Sequence, residues 1–347
     1  MRITMMGTTG VGKTTYLVAM YNDLARKGRN GFKLKANKDI DVRLGNDWRD
    51  MVGSHSWPRP SDYYLDMEFE LFFNTTKITD FNFVDYRGGA IKDLSDTDHA
   101  KKLTNDLLRS DALLILADSW FIANTEYDIA DIQNEVNRIQ IFIEDFFEKN
   151  PEKRLVLGVV LTKIDTIKHE QVDEFKERCF DLFNNVLDLA YRKQNQICGA
   201  FIPISVAGFN TVSIEVNEVP GIYIPQVNSK LNASPKPVNV HWPLLYCIAR
   251  CMQFNLGDLN SQIENKTREV INLTSQIGLW DEITSFFRDE KSNRRKALDA
   301  KEILDNKRTE ASQISEKLHP LLQEVDCLGE LRKRQLYLSL NGHMSLK

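Results

Sequence analysis

The chain has 347 residues, of which 42% are hydrophobic and 10% aromatic, enough for one large α/β domain with an appendage or for two domains, and too much for wholesale disorder. A net charge of −4 argues against bulk electrostatic capture of nucleic acid while leaving room for local basic patches. No apolar run approaches membrane length, no cleaved leader is expected ahead of a strand starting at Arg2, and five scattered cysteines (Cys179, Cys198, Cys247, Cys251, Cys327) suit reduced thiols in a cytosol. Cys247 and Cys251, one helical turn apart, could share a metal, but they lack companion ligands, and buried structural thiols are the favoured reading.

In chain order, Arg2 to Met6 reads as a short strand. The stretch "GTTGVGKT" follows and matches G-x-x-x-x-G-K-[ST] from Gly7 to Thr14. Then "TTYLVAMYNDLARKG" places Leu17, Met20, Tyr21 and Leu24 at helical spacing, with Gly28 as the stop. Glycines at 7, 10 and 12 let the backbone curl so that several N–H groups point inward onto phosphate oxygens, and the helix N-terminus adds its dipole. The set expected to hold the phosphates is Gly7, Thr8, Thr9, Gly10, Val11, Gly12, Lys13, Thr14 and Thr15. Within it the Lys13 ammonium reaches the β- and γ-phosphates and the Thr14 hydroxyl binds Mg²⁺. The pattern arises by chance in roughly one chain of this length in a hundred, and the strand before it and helix after it make a mere glycine turn remote.

Further on, "LDMEFELFF" alternates Met67, Phe69, Leu71 and Phe73, "NTTK" turns the chain, and "ITDFNFVD" returns it. The second strand of this hairpin ends in Asp85-Tyr86-Arg87-Gly88, which fits D-x-x-G: Asp85 can hold Mg²⁺ through water, and Gly88 can turn its N–H onto a γ-phosphate. "DALLILADSW" and "RLVLGVVLTKID" read as buried parallel strands. The second ends in Thr162-Lys163-Ile164-Asp165, matching [NT]-K-x-D. A carboxylate there can accept from both N1–H and the exocyclic amine of guanine, whereas adenine would leave it unsatisfied. The Lys163 stem can lie along the base. A last strand, "GAFIPISVAG", delivers Ser205, Val206 and Ala207, whose backbone can meet the guanine O6.

These four segments, in this order over about Met1 to Gln253, resemble the Ras-like, TRAFAC-type P-loop GTPases. The resemblance implies a three-layer α/β sandwich around a mostly parallel six-stranded sheet with one antiparallel strand, "LDMEFELFF". It also implies GTP and Mg²⁺ as ligands and a switch driven by the γ-phosphate. The Trp-Pro element of "SWPRPSDYY" before the antiparallel strand, with Gly88-Gly89 after it, is similar to the bacterial double-GTPase group linked to conflict and defence systems.

Two departures matter. The family carries a threonine in its first switch segment to complete the Mg²⁺ shell, yet there is no threonine between Gly28 and Asn74; Ser61 is the nearest substitute. The water-positioning glutamine of Ras-type enzymes is replaced by Gly89, so hydrolysis is expected to be slow or to depend on a partner. Arg59 could act as an arginine finger in cis, and an exposed arginine in a Pro-rich loop is an equal alternative. Arg87 fits a structural or partner contact better. Tyr86 and "SWPRPSDYY" form either an effector surface or a simple cover for the domain edge.

The GTPase domain is assigned to residues 1–256, with an insertion at about 209–238 that contains "VSIEV" and "GIYIP" and is closed by a helix with Leu244, Leu245, Ile248 and Met252 on one face. Residues 257–347 are assigned to a helical appendage. One heptad seam runs through Leu259, Ile263, Lys266, Val270, Leu273, Ile277 and Trp280, a second through Ala311, Ile314, Leu318, Leu321, Val325 and Leu328, with a charged tract between them and Pro320 as a kink or restart. Together they predict an antiparallel coiled-coil hairpin, either packed on its own domain or serving as a stalk. Trp280, Phe286 and Phe287 beside Lys291, Arg294, Arg295 and Lys296 favour contact with a protein partner or a second copy, with membrane contact a lesser alternative and no nucleic acid expected. The expected function is a cytosolic GTP-binding switch and slow GTP hydrolase acting through this appendage. Its rivals are a GTP-held assembly module, a dynamin-like mechanoenzyme and a P-loop kinase or ATPase.

Overall fold

A computed structural model of the chain describes residues 1–7, 10–59, 64–85, 98–124, 130–217, 226–281 and 290–338. Strands β1 (Arg2–Met6), β5 (Ala112–Asp118), β6 (Leu155–Thr162) and β7 (Ile197–Pro203) pair in parallel and are almost wholly buried, as strands covered on both faces must be. β1 also pairs in parallel with β4 (Thr76–Asp85). β3 (Leu65–Phe73) runs antiparallel to β4 through a tight turn at Asn74, whose φ is 53°. The strand order is β2-β3-β4-β1-β5-β6-β7.

That is seven strands where six are expected. The extra one, β2 (Phe32–Ala36), lies antiparallel to β3 at the sheet edge. Its sequence FKLKA alternates, with Phe32 and Leu34 buried and Lys33 and Lys35 exposed. Lysines on an edge strand discourage it from pairing with another chain.

Helices cover both faces: α1 (Lys13–Asn22), α2 (Lys38–Gly53), α3 (Asp98–Arg109), α4 (Ser119–Ala123), α5 (Ala130–Lys149), α6 (Val172–Leu182) and α7 (Asn184–Arg192). Side chains of α3, α5, α6 and α7 share one core with Leu113, Ile115, Leu157, Val159 and Phe201. The alternate residues Leu114, Leu116, Val156 and Val160 are also buried and therefore face the opposite layer. α1 continues into one π-helical turn, Asp23–Lys27. The insertion contributes a separate two-stranded antiparallel ribbon, β8 (Val212–Asn217) and β9 (Gln226–Leu231). Of the pieces expected there, "GIYIP" lies outside the described residues.

α8 (Trp242–Asp281) and α9 (Glu290–Val325) form the helical hairpin. The expected closing helix and the first arm are one helix, which runs straight through the assigned 256/257 boundary. Two compact units result, one of residues 1–247 with 324–347 and one of 248–323. Leu331, Leu336 and Leu338, which follow the hairpin in sequence, pack in the core of the first unit. A leucine seam looks the same in sequence whichever core it joins.

Within the second unit, Lys307 Nζ donates to Gln262 Oε1 across the hairpin at 2.5 Å. The α9 seam begins earlier than expected, with Ala300 and Leu304 buried, so much of the charged tract is the flank of α9 rather than a link between arms. α9 continues through Pro320. Phe286 and Phe287 lie outside the described residues. Among the described residues no helix is long and apolar enough to cross a membrane.

Candidate functional site

The site lies at the C-terminal ends of β1, β4, β5 and β6. β1 runs into the glycine loop, where Gly10 and Gly12 take left-handed φ values of 83° and 95° and a Cβ at either would meet nothing within 4 Å. The open space on that side, with α1 starting at Lys13, forms a backbone cradle of the kind that receives an anion. Lys13 is 7% exposed, and its Nζ donates to the Gly7 carbonyl at 2.5 Å. Burial lowers its pKa to about 8, while Asp85 and Glu135 pull in the opposite direction. Asp85 is fully buried at the end of β4, in register with Met5 on one side and Leu65 on the other. Thr14 and Thr15 are half-buried in the first turn of α1.

The second half of the cleft is tied to the first by the [NT]-K-x-D segment. Thr162 Oγ1 bonds the carbonyls of Val11 at 2.9 Å and Ala117 at 3.1 Å. Lys163, held at a φ of 57°, donates to the Gly10 carbonyl at 3.3 Å and to Asp118 Oδ2 at 2.5 Å. Asp165 sits on the short 3₁₀ turn Ile164–Thr166. Burial pushes its pKa up, and a hydrogen bond from Ser205 and the charge of Lys163 draw it back. The Ser205 oxygen meanwhile accepts from the Gly208 N–H at 2.7 Å. Backbone bonds Ile164 N–Ile204 O and Ile204 N–Leu161 O, at 3.1 and 2.9 Å, lock the two turns side by side. Val206 is half-buried and Ala207 buried in the turn that follows.

The structure thus brings together Gly7, Gly10, Val11, Gly12, Lys13, Thr162, Lys163, Asp165 and Ser205. Arg59 is exposed on the connection between α2 and β3. Thr8, Thr9, Ser61, Tyr86, Arg87, Gly88 and Gly89 lie outside the described residues. Two site residues were missed. Asp118, 6% exposed at the end of β5, pairs with Lys163 and caps α4 through the Trp120 N–H at 3.0 Å; an acidic residue ending a buried strand was the available signal, the same one that marks Asp85. Glu135 is a 4% exposed carboxylate on α5 whose charge acts on Lys13. In sequence it is one polar residue beside the apolar stripe of Val136, Ile139 and Ile143, with nothing to set it apart.

Glycine cradle, buried lysine, strand-end aspartate and a pinned Thr-Lys-x-Asp turn on a parallel sheet define a P-loop nucleotide-binding domain. The chain belongs to the Double-GTPase 2 family, whose model matches residues 1–195. That match includes the Thr162–Asp165 turn and stops short of Ser205. Guanine-nucleotide binding with GTP hydrolysis is the activity that membership supports. Among solved structures the chain is similar to one titled as the signal recognition particle receptor SRb-GTP/SRX complex from Chaetomium thermophilum, with 14% identity and a TM-score of 0.38, covering 64% of this chain and 94% of that one. A comparison with the curated proteins found no match.

Proposed function

We propose that the chain is a GTP-operated switch that binds GTP with Mg²⁺ in this cleft, hydrolyses it slowly, and uses its helical hairpin to engage a protein partner or a second copy. The observation that carries the reading is the pinning of the Thr162–Asp165 turn to the glycine loop, through Thr162 on Val11 and Lys163 on Gly10. These bonds hold the Asp165 turn at a fixed offset from the glycine loop, which supports reading the one as base-selecting and the other as phosphate-holding. Gly10, Gly12 and Lys13 would hold the phosphates. The Thr14 hydroxyl and Asp85 carboxylate are hard oxygen donors of the type Mg²⁺ takes, with Ser61 as a third candidate. Bound there, the ion would neutralise charge on the β- and γ-phosphate oxygens. Asp165, with Ser205 orienting it, would accept from the guanine edge, and the Val206–Ala207 backbone would close over the base. Arg59 stands as the candidate charge donor and Gly88 as the candidate γ-phosphate contact. The resemblance to the conflict-associated group extends the proposal to antiphage defence in the cytoplasm. A second reading, GTP held for assembly with little turnover, is favoured by Gly89 in the water-positioning place.

The test is nucleotide selectivity. Asp165→Asn is expected to weaken GTP binding about tenfold to a hundredfold, as lost charge-assisted hydrogen bonds would, and to admit xanthosine triphosphate in part. ATP binding as tight as GTP, or a GTP affinity untouched by Asp165→Asn, overturns the reading. Phosphate release with and without cell extract separates slow hydrolysis from the assembly module.

A further inference from the structure

Asp118 has two oxygens and two partners. It ends β5 opposite Thr162 in the parallel ladder, beside the turn that carries Lys163 and Asp165. Oδ1 accepts from the Trp120 N–H at 3.0 Å and caps α4. Oδ2 accepts from Lys163 Nζ at 2.5 Å. Capping explains the first bond and does not require the second.

Lys163 is held at both ends. Its backbone takes a left-handed φ of 57°, a conformation that costs a residue with a side chain free energy and persists where its surroundings over-determine it. Its carbonyl accepts from the Thr166 N–H at 3.0 Å and from Thr166 Oγ1 at 2.7 Å. Its ammonium meets both Asp118 and the Gly10 carbonyl, the latter at 3.3 Å, so the four-carbon stem bridges the turn and the glycine loop. Without those partners the stem would sample many rotamers, and ordering it when a ligand arrives would cost entropy. The side chain of Asp118 is 6% exposed and that of Lys163 32%, so the carboxylate is the fixed partner and the lysine the one that a ligand reaches. The charges of Lys163 and Asp118 act on the Asp165 carboxylate in opposite directions, which sets the pair close to the residue read as base-selecting.

We propose that Asp118 is a positioning residue for base recognition: it holds the Lys163 ammonium at the glycine loop, so that the lysine stem is ordered as a platform for the purine before the nucleotide arrives. This role rests on the GTP-binding reading above. A platform ordered in advance loses less entropy when the base settles on it. The ammonium has a carboxylate of its own, so a neutral base laid over the stem leaves no unpaired charge beneath it. The gain goes to any ligand that carries the base, whatever its phosphate count. GTP and GDP benefit alike, and a bare phosphate chain gains nothing.

The experiment uses the full chain in Mg²⁺ buffer. It measures release rates of GTP and GDP, and the affinity of inorganic tripolyphosphate, for wild type, Asp118→Asn, Lys163→Met and the double variant. Asparagine keeps one accepting oxygen, enough for the α4 cap but not for the lysine as well. Methionine keeps an apolar stem, loses the ammonium and leaves the cap untouched. Asp118→Asn should speed release of GTP and GDP by the same factor, about threefold to tenfold, as loss of a partly exposed charge-assisted bond would. Tripolyphosphate affinity should not change. Lys163→Met should release both nucleotides at least as fast as Asp118→Asn. The double variant should be no faster than Lys163→Met, because the carboxylate acts only through the lysine. An aspartate that merely caps α4 would weaken tripolyphosphate along with the nucleotides, and its effect would add to that of Lys163→Met. Either of those results, unchanged release in either single variant, or a loss confined to GTP overturns the proposal. If wild type binds GTP and Asp118→Asn proves indifferent, this proposal alone fails; if wild type binds neither nucleotide, the underlying reading fails with it.

Discussion

Lys13 shows how a single residue carries both its fold position and its chemistry. Its ammonium is buried against the Gly7 carbonyl, and burial holds its pKa down at about 8. A phosphate placed in the cradle favours the charged form and raises that value again. The sign follows: above pH 8 the free protein has lost the proton that the complex retains, so binding takes up a proton and affinity falls as pH rises. Calorimetry in buffers of different ionisation heat should find almost no uptake at pH 7 and about one proton at pH 9. An affinity constant from pH 7 to 9 would contradict the placement of Lys13. At this scale much of the site was legible, because the glycine loop and the Thr162–Asp165 turn are each contiguous. Asp118 follows the same rule as Asp85, an acidic residue ending a buried strand. Glu135 was not legible, since its effect on Lys13 exists only once the chain is folded.

At the scale of elements, the buried cluster around His241 within the first unit is the clearest case of parts distant in sequence that act together. His241, 2% exposed, lies just before α8. Its Nδ1 is 3.2 Å from Asp23 on the π-helical turn after α1, and its Nε2 is 3.0 Å from Glu324 near the end of α9. Asn30 donates to the other Glu324 oxygen at 2.9 Å. Burial works to lower the His241 pKa, as does the charge of Arg29, but the two carboxylate partners overcome both and raise it above 6.5. The stabilisation is therefore fully present below pH 6.5 and is lost as pH rises through the raised folded value. Denaturation should show stability falling with pH in that window, by up to about 1.4 kcal/mol per pH unit for one proton. His241→Gln should flatten that slope, and a slope unchanged in the variant would exclude His241 as its source. The sequence offered a lone histidine ahead of an apolar helix. Its two acidic partners lie more than eighty and more than two hundred residues away, and only packing brings them together.

For the whole molecule, the return of the chain after the hairpin matters most. Leu331 is fully buried against β7, so close that a Cβ on Gly199 would lie 2.4 Å from its Cδ1. Arg334 bonds Asn184 at 2.6 Å and pairs with Asp188 on α7 at 3.5 Å, fixing the segment from its exposed side. The nucleotide-binding unit is thus completed by residues that follow the hairpin in sequence. Leu331→Ala should destabilise that unit by about 2–5 kcal/mol, the cost of emptying a packed leucine site, and chemical denaturation measures it. A loss under 0.5 kcal/mol would mean that the returning segment is not part of the unit's core.

What is local or periodic could be read from the chain alone: the glycine loop, the strand-end aspartate, the Thr162–Asp165 turn, the antiparallel strand and the presence of two long amphipathic helices. Each depends on neighbours within one or two turns of chain, or on a repeat that secondary structure imposes. Packing settled the rest: the edge strand β2, the span of Trp57 to the ribbon, the His241 cluster and the core to which the last leucines belong. Those outcomes depend on which apolar face or buried charge meets which other across hundreds of residues. Burial rewards any suitable partner equally, so the partner is chosen by the three-dimensional packing and leaves no mark on either segment alone.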